Sequence, residues 1–180
     1  MTKLELNEKL AKLYGLEPIF TMMKSAEISS CKKFRYRLTR RWGEGKALVF
    51  IMLNPSTADE TVDDPTIRRC IGFAKSNGFN AIDVVNLFAF RATNPSDLKK
   101  AGYLIGELND SHIKEAALQG AKIVYAWGDN ARGLARPIVV DALIRSLNIH
   151  PYVLKLTTKN IPSHPLMLRA DCQLQKLEKS

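Results

Sequence analysis

Ala47-Leu48-Val49-Phe50-Ile51-Met52-Leu53-Asn54-Pro55-Ser56-Thr57 is the stretch on which the fold turns. Its first seven residues are apolar and rich in branched side chains, too few for a membrane span and of the right length for a buried strand. Asn-Pro-Ser-Thr is turn chemistry, so a polar loop opens where the buried strand ends. In open α/β sheets ligands bind outside the carboxyl ends of the strands, which makes this loop the first candidate for a site. The alternative is an ordinary strand-to-helix turn whose Asn and Ser close backbone hydrogen bonds.

Downstream, Asp63-Asp64-Pro65 starts a helix, with Asp64 as cap and Pro65 at the first helical position, where its missing N–H costs nothing. That helix runs to about Asn77 and stops at Gly78. Ala81 to Leu87 reads as a second buried strand, with the polar Asn86 near its end. Asn109-Asp110-Ser111 caps a helix through Leu118, and Gly120 closes it before a third strand, Lys122 to Trp127. Gly128-Asp129-Asn130 opens a helix that is irregular near Pro137 and reaches Leu147. Tyr152 to Leu156 is a fourth strand, leading to Pro162-Ser163-His164-Pro165. Upstream, Leu4, Leu6, Leu10 and Leu13 suggest a short helix, and Phe34 to Arg41 with Ala47 to Leu53 read as hairpin arms joined through Gly43-Glu44-Gly45.

The order β-α-β-α-β-α-β predicts an α/β fold of three layers, α/β/α, in one domain. Its mostly parallel central sheet has about four strands plus an N-terminal β-hairpin arm. Right-handed crossovers then bring Asn54, Asn86, Trp127 and His164 to one rim.

The 180 residues carry 27 Lys and Arg against 18 Asp and Glu, a net charge of +9 that favours a polyanionic partner such as nucleic acid, or serves solubility alone. Part of the excess is concentrated in Lys32, Lys33, Arg35, Arg37, Arg40 and Arg41. Phe34, Tyr36 and Leu38 alternate with Arg35, Arg37 and Thr39, so this segment reads as a strand with one basic face, and Lys33, Arg35 and Arg37 become candidates for phosphate contacts. Arg68 and Arg69 early in the first helix, and Arg91 beyond Asn86, either clamp phosphates or hold acidic loop residues. Cys31, Cys70 and Cys172 have no Cys-x-x-Cys spacing, which argues against a disulfide framework, a zinc knuckle or a four-thiolate cluster. They read as reduced thiols of a cytoplasmic protein, and the N-terminus lacks the apolar core of a secretory signal. No metal, no cofactor, no membrane contact and a monomer are expected.

The motifs carry a resemblance. Leu53-Asn54-Pro55-Ser56 resembles the first active-site motif of mismatch-specific members of the uracil-DNA glycosylase superfamily, whose Asn-Pro turn positions the attacking water. Val84-Val85-Asn86 is similar to that superfamily's second strand, Trp127-Gly128-Asp129-Asn130-Ala131 to a Trp-Gly-x-x-Ala junction found in part of it, and His164-Pro165-Leu166 falls where its His-Pro-Ser motif falls. More closely, Met52 to Asp59, Asp64 to Arg69, Asn86 to Ala89, Arg91-Ala92-Thr93 and His164-Pro165-Leu166 resemble a bacterial and phage domain family long classed as of unknown function. Some of its members are identified as DNA glycosylases of antiviral defence that attack modified phage bases. Leu166 in place of a small polar residue, and the lack of a Gly before Asn54, depart from the uracil enzymes and speak against uracil itself as the substrate.

The resemblance implies a DNA glycosylase that flips a modified or damaged base, cleaves its N-glycosidic bond and leaves an abasic site. Asn54 and Asp59 are then the candidates for holding the water, Asp59 also supplying a negative charge near the cationic sugar, while His164 donates to the leaving base. Asn86 reads the base edge, with Pro55, Ser56, Thr57, Phe88 and Arg91 among the substrate contacts. Phe73 and Phe90 are further stacking candidates, although an aromatic near a strand end is more often core. Leu166 and Met167 either wedge into the vacated stack or pack inside. Two rivals stand beside this reading: a non-catalytic nucleic-acid-binding module, and a hydrolase or transferase acting on free nucleotides.

Overall fold

The computed structural model describes residues 21–178, together with 6, 9, 10 and 13–15. The N-terminal helix expected over Leu4 to Leu13 lies largely outside these described residues. In chain order the elements are β1 (Met23–Ile28), β2 (Arg35–Arg41), β3 (Leu48–Met52), α1 (Pro65–Ser76), β4 (Ala81–Asn86), α2 (Pro95–Lys100), α3 (Asn109–Gln119), β5 (Lys122–Tyr125), α4 (Arg136–Ser146), β6 (Tyr152–Val153) and β7 (Gln175–Lys176). Short 3₁₀ turns span Asp129–Ala131 and Pro165–Met167.

Every residue of β3 is buried, so the strand needs a neighbour on each side and helices over both faces. It gets both. β4 and β5 flank it in parallel, within a seven-stranded sheet of order β1-β2-β4-β3-β5-β6-β7. On one face Leu48, Phe50 and Met52 pack with Ile67, Cys70, Phe73 and Ala74 of α1. On the other, Val49 and Ile51 pack with Ile113, Ala116 and Ala117 of α3 and with Val140 and Ile144 of α4. The result is three layers with β3 at the centre of both cores.

Two expectations are corrected. Among the described residues the sheet has seven strands, not about four plus a hairpin arm, and its six ladders divide into three parallel and three antiparallel. The extra strands, β1 and β7, lie at the edges, where pairing to a neighbouring strand holds residues with no long apolar run. The hairpin between Phe34–Arg41 and Ala47–Leu53 does not form, because β4 lies between β2 and β3. A strand that is apolar on both faces takes the central slot, and the intervening link spans two strand spacings, about 10 Å.

β2 also departs from strict alternation. Its register against β1 pairs Arg37 with Glu27 but Arg35 with Ile28, so Tyr36 is an extra residue and a β-bulge interrupts the strand. A bulge reverses side-chain parity. Arg37 therefore turns toward α3, reaching Asp83 at 2.6 Å and Gln119 at 2.9 Å, whereas Arg35 and Arg40 both turn to the loop between β3 and α1. The single basic face predicted from alternation is broken in the middle.

The α1 start follows its sequence closely. Asp64 accepts a hydrogen bond from the Ile67 N–H at 2.9 Å and Pro65 occupies the first turn. Pro137 likewise begins α4 instead of interrupting a longer helix.

Candidate functional site

A cavity of about 690 Å³ opens at the carboxyl ends of the parallel strands. β3 connects through α1 to β4 on one side, while the next parallel strand, β5, pairs on the other, so the cavity lies at the topological switch point of the sheet. Its wall is drawn from the loops after β3, β4, β5 and β6.

The β3 loop is zipped to the β4 loop by backbone bonds: Leu87 N–H to the Met52 carbonyl at 2.8 Å, Phe88 N–H to Leu53 at 3.0 Å and Ala92 N–H to Pro55 at 2.9 Å. Asn54 adds two side-chain bonds, from Nδ2 to the carbonyls of Ala92 (2.8 Å) and Pro55 (3.0 Å). Both partners are acceptors, so the amide nitrogen must face them and Oδ1 is left as an acceptor at the cavity. That is the polarity needed to hold a water by its hydrogen. Ser56 and Thr57 line the same wall, whereas Pro55 is buried and shapes the turn beneath it.

Asn86 ends β4 with 1% of its surface exposed and also lines the cavity. Its Nδ2 is buried without a hydrogen-bond partner. Such orphaned donors are rare in folded proteins, which makes this one at a cavity wall a candidate binding group.

The third part comes from the β5 and β6 loops. Trp127, stacked on Tyr125 with ring centroids 4.5 Å apart, is the aromatic that faces the cavity. Gly128 follows with φ +77°, and a Cβ there would lie 3.0 Å from the Cβ of His164, so glycine is required for both reasons. Its N–H donates to the Pro162 carbonyl at 2.9 Å, tying this loop to the one that carries His164. His164 accepts from the Leu166 N–H at Nδ1 (3.3 Å), which leaves Nε2 to carry the proton of the neutral imidazole. Burial pushes its pKa below the ordinary value, with the charge of Asp64 opposing. Arg69 braces the same loop from α1 through the carbonyls of Pro165 and Leu168.

The structure thus brings together Asn54, Ser56, Thr57, Asn86, His164 and Leu166 of the residues singled out in the sequence, and adds Arg35 from the basic strand. Others stay outside. Asp59 does not line the cavity; the Thr61 and Val62 N–H groups and the Thr61 hydroxyl hold its carboxylate, bringing its pKa down to about 2. A carboxylate so satisfied is a poor base. Asp64, read as a helix cap, and Asp129 of the Trp-Gly junction are the acidic side chains in the cavity wall. Phe88 is buried against Tyr103 at 5.4 Å, Phe73 lies in the core, and Phe90 packs edge-on against Phe34. Arg91 reaches back to the Lys32 carbonyl, Arg68 donates to the Asp63 carbonyl and Lys33 is exposed. Leu166 and Met167 stand at the rim with 44% and 80% of their surface exposed, so burial is not their role.

Among the described residues no group of three His, Cys, Asp or Glu side chains is placed to hold a metal, and no helix is long and apolar enough to cross a membrane. No curated protein and no solved structure matches the chain. A family comparison does match, over well more than half of the chain, from Arg35 in the bulged strand to Leu166 at the cavity rim. The chain belongs to the DUF1643 family, described as proteins of unknown function, whose model covers residues 35–166.

Proposed function

We propose that the protein is a DNA glycosylase that hydrolyses the N-glycosidic bond of a modified or damaged base, in a fold of the uracil-DNA glycosylase kind. One observation carries this reading: a cavity at the strand ends offers an open acceptor on Asn54, an unpartnered buried donor on Asn86 and the Nε2 of a neutral His164. N-glycoside hydrolysis asks for those three services. Asn54 Oδ1 orders the water, Asn86 reads an acceptor on the base edge, and His164 donates toward the departing base. The C1′–N bond breaks with its electron pair on the base, the water oxygen bonds to C1′ and gives up a proton to solvent, and the base is protonated after release.

Trp127 supplies the stacking face that Phe88 does not, and the exposed Leu166 and Met167 suit the gap a flipped nucleotide leaves in duplex DNA. Phage DNA with hypermodified bases is the proposed setting. A second reading, hydrolysis or transfer on free nucleotides, is favoured by the internal pairing of Arg37 and Arg40, which removes part of the charge available to a DNA backbone. Incubation with DNA carrying different base modifications, followed by alkali, separates the two: strand breaks at abasic sites support the glycosylase, whereas turnover of nucleoside monophosphates with no breaks supports the second reading.

A further inference from the structure

Three arginines in this protein are buried: Arg35 (2% exposed), Arg40 (0%) and Arg136 (8%). A buried guanidinium is costly unless acceptors surround it. Arg40 meets this need with Asp63 at 2.7 Å and the carbonyls of Ser25, Thr39 and Asp59. Arg136 does so with both oxygens of Asp110 and the Leu87 carbonyl. Arg35 does not. Its Nη1 donates to the Ala58 carbonyl at 2.8 Å, its Nε has no partner, and it forms no ion pair among the described residues. Burial pushes its pKa down to about 10; Asp64 opposes that shift, and the charges of Arg91 and Arg40 add to it.

The β2 bulge turns this under-partnered cation to the cavity wall, where Asn86 presents its own unpartnered amide nitrogen. Bulges beside active sites commonly re-aim a side chain in this way. The surrounding wall, Met52, Leu53, Ile67 and Trp127, is apolar and suits a planar ring better than a hydrated phosphate.

We propose that Arg35 makes this wall an oxyanion subsite, its unpartnered guanidinium edge receiving the negatively charged oxygen of a departing nucleobase. The proposal rests on the glycosylase reading. As the C1′–N bond breaks, the electron pair left on the base is delocalised onto its ring carbonyl oxygen. Arg35 keeps its proton and holds that oxygen by charge-assisted hydrogen bonds, and the base is protonated by solvent after release.

Calorimetric titration of the full chain with barbiturate, an oxygen-centred anion at neutral pH, with uracil, which is neutral there, and with inorganic phosphate tests the subsite. Barbiturate is expected to bind about tenfold more tightly than uracil, within the range of a hydrogen bond to a charged group. Arg35→Gln should bring that ratio close to one and Arg35→Lys should retain part of it, with melting curves reporting the fold of each. Equal affinities in the native protein, a ratio that survives Arg35→Gln, or displacement of barbiturate by phosphate would overturn the proposal. If Arg35→Gln fails to fold, the native ratio and Arg35→Lys decide. Abasic-site formation without the barbiturate preference sinks the subsite and leaves the glycosylase standing; an Arg35-dependent preference with no abasic sites in any DNA does the reverse.

Discussion

The carboxyl end of β4 carries an Asn and an Arg on each of its two sides, and the pairs behave differently. On the α3 side, Asn109 gives both amide hydrogens to the carbonyls of Asn86 (2.9 Å) and Leu87 (3.1 Å), while Arg136 bonds the Leu87 carbonyl and the Asp110 carboxylate. On that face Asn109 Oδ1 lacks a hydrogen-bond partner, as do His112 Nδ1 and Arg37 Nε, but none of the three residues lines the cavity. On the cavity side, the Asn86 amide nitrogen and Arg35 Nε have none. Buried polar groups of one chemistry thus serve as scaffold where they tie the strand ends together and as candidate binding groups where an unpartnered donor stands at the cavity wall.

The comparison breaks most visibly at Arg136. Arg136→Ala removes one of the two donors to the Leu87 carbonyl together with the Asp110 ion pair, and is expected to cost about 2–3 kcal/mol in denaturant unfolding, while excision per folded molecule changes little. Asn86→Asp acts on the other side. If its amide reads an acceptor, relative excision rates on different bases shift by about tenfold to a hundredfold, since a mispaired buried group costs about 1–3 kcal/mol. A uniform loss that tracks a lower melting temperature would return Asn86 to the scaffold.

Arg35→Met is the inverse of Arg136→Ala: deleting a buried cation that lacks a carboxylate should change stability by less than about 1 kcal/mol, or raise it, while excision falls. The smallest effect belongs to His164. Its folded-state pKa is depressed, so the unfolded chain takes up the proton first and stability declines as pH falls through the ordinary imidazole range. Melting temperatures between about pH 7.5 and about pH 5.5 should therefore drop further in the native protein than in His164→Gln. Equal drops would mean that the imidazole is not held in its neutral form.

Much of this was legible in the chain. The apolar run before Asn54, the Asp64-Pro65 helix start and the polar strand ends located the cavity because each is local chemistry. What stayed hidden is non-local. Nothing in Met23 to Ile28 marks an edge strand, since backbone pairing with β2 holds it there. Alternation alone cannot reveal a bulge, so Arg35 was grouped with Arg37 on a basic face when the register sends them to opposite sides. Asp64 was legible as a helix cap from Pro65 beside it, but the turn at Thr61–Val62 that takes up the Asp59 carboxylate was not. Trp127 was visible as a motif residue, but that it faces the cavity while Phe88 points into the core depends on packing between layers.

The most direct test pairs the native protein with Asn54→Ala on DNA containing a panel of modified bases, scoring alkali-labile breaks beside melting temperature and DNA binding. The account predicts breaks at one class of modified base, reduced about a hundredfold or more in Asn54→Ala, with the fold and DNA binding retained. Breaks formed at full rate by Asn54→Ala, or none by the native protein on any base, would contradict it.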